Sequence, residues 1–405
     1  MEVESNSPET TSSNNPNIIK VNDSVLIRMP SGNEKFIVLE PNTTVSLGKF
    51  GSFKSDDLVG KQYGLSFEIH DNGVLKQFIP EAFDVVDETE ANNQDIRGDN
   101  QAQTLSHEEI EELKKKGLSG AVSTEEIINS ITKNNQEFNK KTEYSKSKYL
   151  KRKENKYRKM FTALGPTVYN ITNHFFNKNP TKTRYLRIDT LSQILSLSNV
   201  YSSSKVLLVD ETQALILSSI LQKIRAPGLV LALHDGDTPT FNIMDHFNFS
   251  KDTLDNLHSL SFKHVGKEME PFIEHSDGQT SESYHRAAKR RKANHEKLAK
   301  TVGILNNTAF DSLIISTKYN PASVIKILEK HLGDSRMLVV HSPHKEALLE
   351  AFEYLRSSAT FLNVNLSESW LREYQVLPGR THPLMSMSSE GGFILTAIKV
   401  STLVS

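Results

Sequence analysis

The sequence predicts an α/β protein with three parts. A doubly wound, mostly parallel sheet forms the C-terminal half, a small antiparallel β-barrel forms the N-terminal end, and a helical, basic connector runs between them. Three observations carry this reading. From about residue 184, short continuous apolar runs alternate with amphipathic stretches, the pattern of strands covered on both faces by helices. Before residue 84, short β-rich runs follow one another with glycines between them, as in small antiparallel barrels. In the middle, positive charge concentrates in a stretch with helical spacing.

Residues 1–16 are rich in Ser, Asn, Thr and Pro and read as a disordered tail. The barrel is expected over 17–84. Ser24–Met29 and Glu34–Glu40 are β-rich runs joined by the turn Pro30-Ser31-Gly32-Asn33. Thr43–Leu47 follows, then Tyr63–His70 with Leu65, Phe67 and Ile69 alternating. The acidic stretch 85–104 has almost no large apolar residue and reads as a flexible linker.

The helical connector is expected over 105–183. Ser106 and Glu109 make the spacing of a capping box. A second helix opens at Ser123-Thr124-Glu125-Glu126, with Ile127, Ile128 and Ile131 on its apolar side. Tyr149, Leu150, Tyr157, Met160 and Phe161 interleave with cations further on, so one helical side packs while another faces outward.

The α/β domain comes last, over 184–405. Helices are expected at Ile188–Leu197, Thr212–Ile224, Ala322–His331 and Lys345–Arg356. Strands are expected at Lys205–Val209, Gly228–Leu233, Phe310–Ile315 and Arg336–Val340. Leu371–Leu377 and Phe393–Val400 close the chain and suggest an antiparallel edge. Residues 262–300 show little apolar periodicity and read as a basic, mobile insertion.

Composition narrows the function. The 405 residues carry 48 Lys+Arg against 49 Asp+Glu and contain no cysteine. That excludes disulfide scaffolds, Cys-ligated zinc, iron–sulfur clusters and thiol catalysis. No apolar run approaches the ~20 residues of a membrane span. Met1–Thr11 lacks the apolar core of a secretory signal. The near-neutral total hides two basic blocks, Lys146–Lys159 at about +7 and Arg286–Lys300 at about +6. Concentrated cations on an otherwise acidic chain point to a polyanion, nucleic acid first, against the competing reading of solvated helical faces.

The site expected of such a sheet is missing. A nucleotide-like cofactor needs a glycine turn after the first strand and an acid after the second. Here the first strand runs into Asp210-Glu211-Thr212-Gln213-Ala214-Leu215, with no glycine between Ile188 and Pro227. The second ends in His234-Asp235-Gly236-Asp237, where the acid reads as a loop or cap residue. After Phe310–Ile315 the chain reads Ser316-Thr317-Lys318-Tyr319-Asn320-Pro321, with no carboxylate to act as a base. No HExxH, GxSxG or GxxxxGK[ST] occurs. His341 and His344 flank a Ser-Pro turn and read as a turn-stabilising pair, so no metal site is expected.

Four segments then become specific: Pro41–Leu65 (PNTTVSLGKFGSFKSDDLVGKQYGL), Glu143–Met160 (EYSKSKYLKRKENKYRKM), Lys182–Leu208 (KTRYLRIDTLSQILSLSNVYSSSKVLL) and Trp370–Pro383 (WLREYQVLPGRTHP). On these the C-terminal domain resembles the class I, S-adenosylmethionine-dependent methyltransferases. More narrowly, the whole chain resembles the non-catalytic subunits of the eukaryotic tRNA (adenine-58-N1)-methyltransferase. The resemblance implies a methyltransferase-like Rossmann sheet with a degenerate cofactor site. It departs from the catalytic subunit of that enzyme at the glycine-rich loop and at the aspartate after the fourth strand.

The resemblance further implies pairing with a catalytic paralogue that holds S-adenosylmethionine, two such heterodimers forming a heterotetramer in the nucleus. Lys289-Arg290-Arg291-Lys292 suits an import signal. No cofactor is expected on this chain. The expected tRNA contacts are Lys148, Lys151, Arg152, Lys153, Lys156, Arg158 and Lys159. Arg372, Arg380 and His382 are expected at the edge of the partner's active site, and Trp370 in core or interface packing. Two other readings stay open: a divergent active methyltransferase using Asp210 and Asp235, and an RNA-binding protein acting in translation initiation.

Overall fold

The computed structural model describes residues 17–70, 73–79, 124–135, 158–267, 282–376, 381–388 and 391–401, with isolated positions between them. The chain divides into two compact units, residues 1–166 and 167–405.

The first unit is built on antiparallel pairing. Strands β1 (Ser24–Arg28), β2 (Glu34–Val38), β5 (Ser66–Ile69), β6 (Leu75–Phe78) and β7 (Met160–Leu164) form one sheet in the order β2-β1-β7-β5-β6. Strands β3 (Thr44–Ser46) and β4 (Ser52–Lys54) pair separately. The β1–β2 turn uses Gly32 at φ +85° and is pinned by the Arg28–Glu34 ion pair at 2.7 Å. Phe161 of β7 stacks on Phe53 at 4.8 Å and lies 5.8 Å from Phe67, so the core closes around it.

This corrects the reading of Met160 and Phe161 as the apolar side of a basic helix. Along β7 every second residue is buried, Phe161 and Ala163, which is a strand period. The 105–183 segment therefore returns a strand to the middle of the first sheet, and its Val168–Lys178 helix belongs to the second unit. The capping box forms as read. The Ser106 amide donates to Glu109 Oε2 at 2.8 Å, and the Glu109 amide donates to Ser106 Oγ at 3.2 Å. Helix Thr124–Lys133 buries Ile127, Ile128 and Ile131.

The second unit holds a seven-stranded sheet. Its strands are β8 (Lys205–Asp210), β9 (Leu229–His234), β10 (Leu257–Ser261), β11 (Phe310–Ser316), β12 (Leu332–Ser342), β13 (Phe361–Glu368) and β16 (Phe393–Lys399). They are ordered β10-β9-β8-β11-β12-β16-β13. The pairings are parallel from β10 to β12, and β16 runs antiparallel to both β12 and β13. The inner strands read as unbroken apolar runs because both faces are covered; Val206, Leu207 and Leu208 are all 0 % exposed. The two-residue strands β14 (Tyr374–Gln375) and β15 (His382–Pro383) form a two-stranded sheet of their own among the described residues.

Three expectations change here. The edge partner of β16 is Phe361–Glu368, not Leu371–Leu377. Asn363 and Asn365, together with a register break between Leu362 and Asn365, hid that strand from a hydrophobic pattern. Strand β10 went unread because His258 and Ser259 interrupt its apolar run. Of the 262–300 segment, the part from Glu282 onward lies in a helix, Glu282–Asn307, that leads into β11, where the sequence showed little apolar periodicity. Its last turns bury Val302 and Leu305, while Lys289, Arg290, Arg291 and Lys292 are exposed.

Candidate functional site

In an open sheet of this kind the ligand crevice lies beyond the carboxyl ends of the strands where the order switches direction, here β8 and β11. The chain leaves β8 through a turn in which Gln213 and Ala214 take left-handed φ angles of +60° and +69°. These are angles that glycine adopts without strain, so the turn keeps a glycine geometry with side chains on it. Asp210, at the end of β8, turns inward. Its Oδ1 accepts from the Thr212 amide at 2.7 Å and from Thr212 Oγ1 at 2.6 Å, and its Oδ2 accepts from the Leu217 amide at 2.9 Å. Amides that would face a phosphate or carboxylate are thereby spent on a residue of the chain itself. Burial raises the Asp210 carboxyl above its ordinary pKa, against those hydrogen bonds.

Glu211 closes the other wall. Its Oε2 accepts from Thr317 Oγ1 at 3.0 Å and from the Lys318 amide, and its Oε1 lies 3.6 Å from Lys318 Nζ. The Glu211 charge raises the Lys318 ammonium pKa. Asp235, the acid after β9, accepts from the Tyr319 hydroxyl, and that bond lowers its pKa. Gln213 Oε1 accepts from Asn242 Nδ2 at 2.9 Å. Each acid a cofactor or a proton transfer would need is engaged by a neighbour 84 to 107 residues away or by its own turn. The turn does not fit a nucleoside cofactor: it offers no bare backbone, and its carboxylates are already bonded.

Beside this wall lie a histidine that the sequence reading placed in a turn and an arginine that it did not single out. His341, at the end of β12, is buried, with Nδ1 3.0 Å from Ser316 Oγ. Burial first, and the nearby Arg184 charge second, lower its pKa to about 3, so the ring is neutral. His341 therefore belongs to the sheet interior, not to a turn pair with His344. The His344 amide bonds instead to Ser342 Oγ at 3.2 Å. Arg184 sits half-buried at φ +53°; desolvation lowers its guanidinium pKa, and the nearby Glu211 and Asp210 charges offset part of that. Among the described residues no three His, Asp or Glu side chains gather as metal ligands do.

A third group anchors a projecting segment. Arg187 gives Asp189 a bidentate pair, Nε to Oδ1 at 2.7 Å and Nη2 to Oδ2 at 2.9 Å. The same guanidinium donates to the carbonyls of Ser369 at 3.2 Å and Ser388 at 3.5 Å. Burial alone would raise the Asp189 carboxyl; the Arg187 bonds and charge outweigh it and hold it below its ordinary range.

The sequence-predicted contacts divide. Lys148, Lys151, Arg152, Lys156 and Arg380 lie outside the described residues. Lys153 places Nζ over the Tyr149 ring at 5.0 Å. Arg158 is drawn against the first unit's sheet, its guanidinium 4.7 Å from the Phe78 ring centroid and 4.0 Å from Glu68. Lys159 is half-buried, its carbonyl accepting from the Ile69 amide at 2.8 Å. Arg372 is exposed. His382 is exposed on β15, 3.2 Å from Gln375. Trp370 is 77 % exposed, which removes core packing as its role.

Residues 18–301 match the Gcd10p family, more than half of the chain. The chain belongs to the Gcd10p family. A protein of Schizosaccharomyces pombe named tRNA (adenine(58)-N(1))-methyltransferase non-catalytic subunit is 29 % identical, with 95 % of this chain and 92 % of that protein covered. The protein of the same name from Dictyostelium discoideum is also 29 % identical, covering 95 % of this chain and 80 % of its own length. Among solved structures, a SAM-dependent O-methyltransferase from Thermotoga maritima aligns with a TM-score of 0.53 at 12 % identity, over 97 % of this chain and 98 % of that one. That likeness establishes the methyltransferase-like fold. Within this Gcd10p family member, the crevice with its engaged acids stands on a sheet of that architecture.

Proposed function

We propose that this chain is the non-catalytic subunit of a tRNA (adenine-58-N1)-methyltransferase. It contributes tRNA-binding surface and frames the active site of a catalytic partner, which alone holds S-adenosylmethionine. The observation that carries this reading is the engaged crevice: Asp210 bonded into its own turn, Glu211 held by Thr317 and Lys318, and Asp235 by Tyr319. Relatives named as non-catalytic subunits at 29 % identity over most of the chain support it. The heterotetramer of two heterodimers and the nuclear location belong to the same proposal. The exposed Lys289-Arg290-Arg291-Lys292 run is consistent with nuclear import. Among the described residues no helix is long and apolar enough to cross a membrane.

The test is methyl transfer to a tRNA transcript by this chain, by the catalytic chain, and by the two together. Activity is expected only in the mixture, and the pure chain should show no micromolar binding of S-adenosylmethionine by calorimetry. Methyl transfer by this chain alone would overturn the proposal.

The tRNA surface is assigned to the block Lys148, Lys151, Arg152, Lys153, Lys156, Arg158 and Lys159, with Arg158 acting through its place against the sheet. Replacing Lys151, Arg152 and Lys153 with alanine should weaken tRNA binding. It should also reduce the slope of log affinity against log salt by about 2, because each phosphate contact releases condensed counterions. Filter binding across a salt series measures this, and an unchanged slope would remove the block from the interface.

A further inference from the structure

We infer that one face of the helix Glu282–Asn307, carrying Arg286, Lys289, Arg290, Lys297 and Lys300, is a second RNA contact that grips the phosphate backbone of the tRNA. This inference rests on the function proposed above. It adds a contact surface in the second unit to the block Lys146–Lys159 of the first.

The charge is organised, not merely abundant. At 3.6 residues per turn these cations fall within an arc of about 100° and extend about 21 Å along the helix. All of them are exposed. Between Arg286 and Lys300 the sequence has one acid, Glu296, at the margin of the arc. Among the described residues Lys289, Arg290, Lys297 and Lys300 form no ion pair. Leu298, Val302 and Leu305 lie on another side of the helix and pack against the core of the sheet. Lys297 and Lys300 stand either side of Leu298, so that end of the stripe is held in place before any ligand arrives.

The arrangement works against the helix on its own. Arg286 with Arg290, Arg286 with Lys289, and Lys297 with Lys300 are like charges at i,i+4 or i,i+3 spacing, which repel across a helix surface. A helix face that serves only to meet water is ordinarily laced with pairs of opposite sign. The field is also felt on the neighbouring strand. His258 lies on β10, the edge strand of the sheet. Burial first, and the Lys300 and Lys297 charges next, all lower its pKa, so the imidazole sits in a net positive field.

The chemistry selects a phosphate backbone. Between Arg286 and Lys300 the arc carries nothing larger than Ala293 apart from its cations, so it lacks the aromatic and aliphatic anchors of a protein interface. A membrane-surface helix keeps its apolar face free for lipid, whereas this one has committed that face to the core. Lysines and arginines in a row release condensed counterions when they meet phosphates, a gain that grows with each contact and needs no particular base. A nuclear-import signal is a different feature of the same helix. It would be read from the contiguous run Lys289–Lys292, in which Arg291 and Lys292 stand off the arc, and Lys297 and Lys300 lie outside that run.

The test compares two matched double variants, each assembled with the catalytic chain, by filter binding of a tRNA transcript across a salt series. Lys297→Ala with Lys300→Ala removes two charges on the arc; Arg291→Ala with Lys292→Ala removes two exposed charges off it. The first pair should lower affinity about 10-fold at about 0.1 M salt and reduce the slope of log affinity against log salt by about 1.4. The second pair should change neither, and Lys297→Arg with Lys300→Arg should keep both at wild type. All four native side chains are exposed, so circular dichroism and the thermal midpoint should match wild type. An undiminished slope in the first pair, or equal losses in both pairs, overturns the stripe and leaves the functional proposal standing. Weaker assembly with the catalytic chain in analytical ultracentrifugation, at unchanged tRNA affinity, assigns the face to the protein partner and overturns the inference. Failure of the wild-type complex to bind tRNA overturns both.

Discussion

Replacing Gly392 with alanine should destabilise the second unit by about 3 kcal/mol. Gly392 leads the chain into β16 at φ +81°, a left-handed angle that costs an L-residue about 1 kcal/mol or more. The added Cβ would also lie 2.5 Å from His341 Nε2 and 3.2 Å from the Ser342 carbonyl. The imidazole has nowhere to go: it is 1 % exposed, with its other nitrogen 3.0 Å from Ser316 Oγ. Forcing a methyl into such a site costs about 1–3 kcal/mol beyond the backbone strain. A control separates the two effects. Gly236 has φ +73°, and a Cβ there would meet nothing within 4 Å, so Gly236→Ala should cost only the backbone strain. Urea unfolding followed by circular dichroism measures both variants. Equal losses would show that His341 yields and that the packing between β12 and β16 is loose.

The same residues show what a sequence reader sees and what escapes. Val206–Val209, Val230–Leu233 and Leu313–Ile315 are buried on both faces, so their composition alone announces strands. Where a strand lies at an edge or carries polar residues, as in β10 and β13, composition no longer separates it from a loop. Strand β7 is five residues long and follows a run of cations with helical spacing, so the local pattern extended the helix across it. The helix Glu282–Asn307 hides because most of its length is solvated and only its last turns meet the core. At the crevice, the lack of glycine is a local fact and legible. How its acids are engaged is not, because Glu211 meets Thr317 and Lys318, and Asp235 meets Tyr319, only once β8, β9 and β11 lie side by side. Arg187 likewise reads as an ordinary cation until the fold brings Ser369 and Ser388 to it. The exposure of Trp370 has no sequence signal at all, since a lone tryptophan reads first as core.

Asp210 distinguishes a structural from a catalytic use of the strand ends. Asp210→Ala is expected to destabilise the second unit by about 2 kcal/mol while leaving methyl transfer by the assembled complex, per folded molecule, unchanged. The loss comes from donors, not from the carboxylate's own burial. Thr212 and Leu217 are both 0 % exposed, and their amides donate to Asp210 at 2.7 Å and 2.9 Å; without it those groups are left unpaired. Asp210→Asn keeps the shape but offers one acceptor oxygen where the native residue uses two, with an NH₂ turned toward a donor. It should therefore recover only part of the stability. If Asp210 instead took a proton or held a cofactor in catalysis, the pattern would invert. Both variants would then lower the complex's turnover by orders of magnitude at temperatures where they remain folded, and alanine and asparagine would be equally inactive. Thermal midpoints and turnover measured on the same preparations of the complex read the two patterns apart. The order wild type, Asn, Ala in stability with flat turnover fits a crevice whose acids serve the fold.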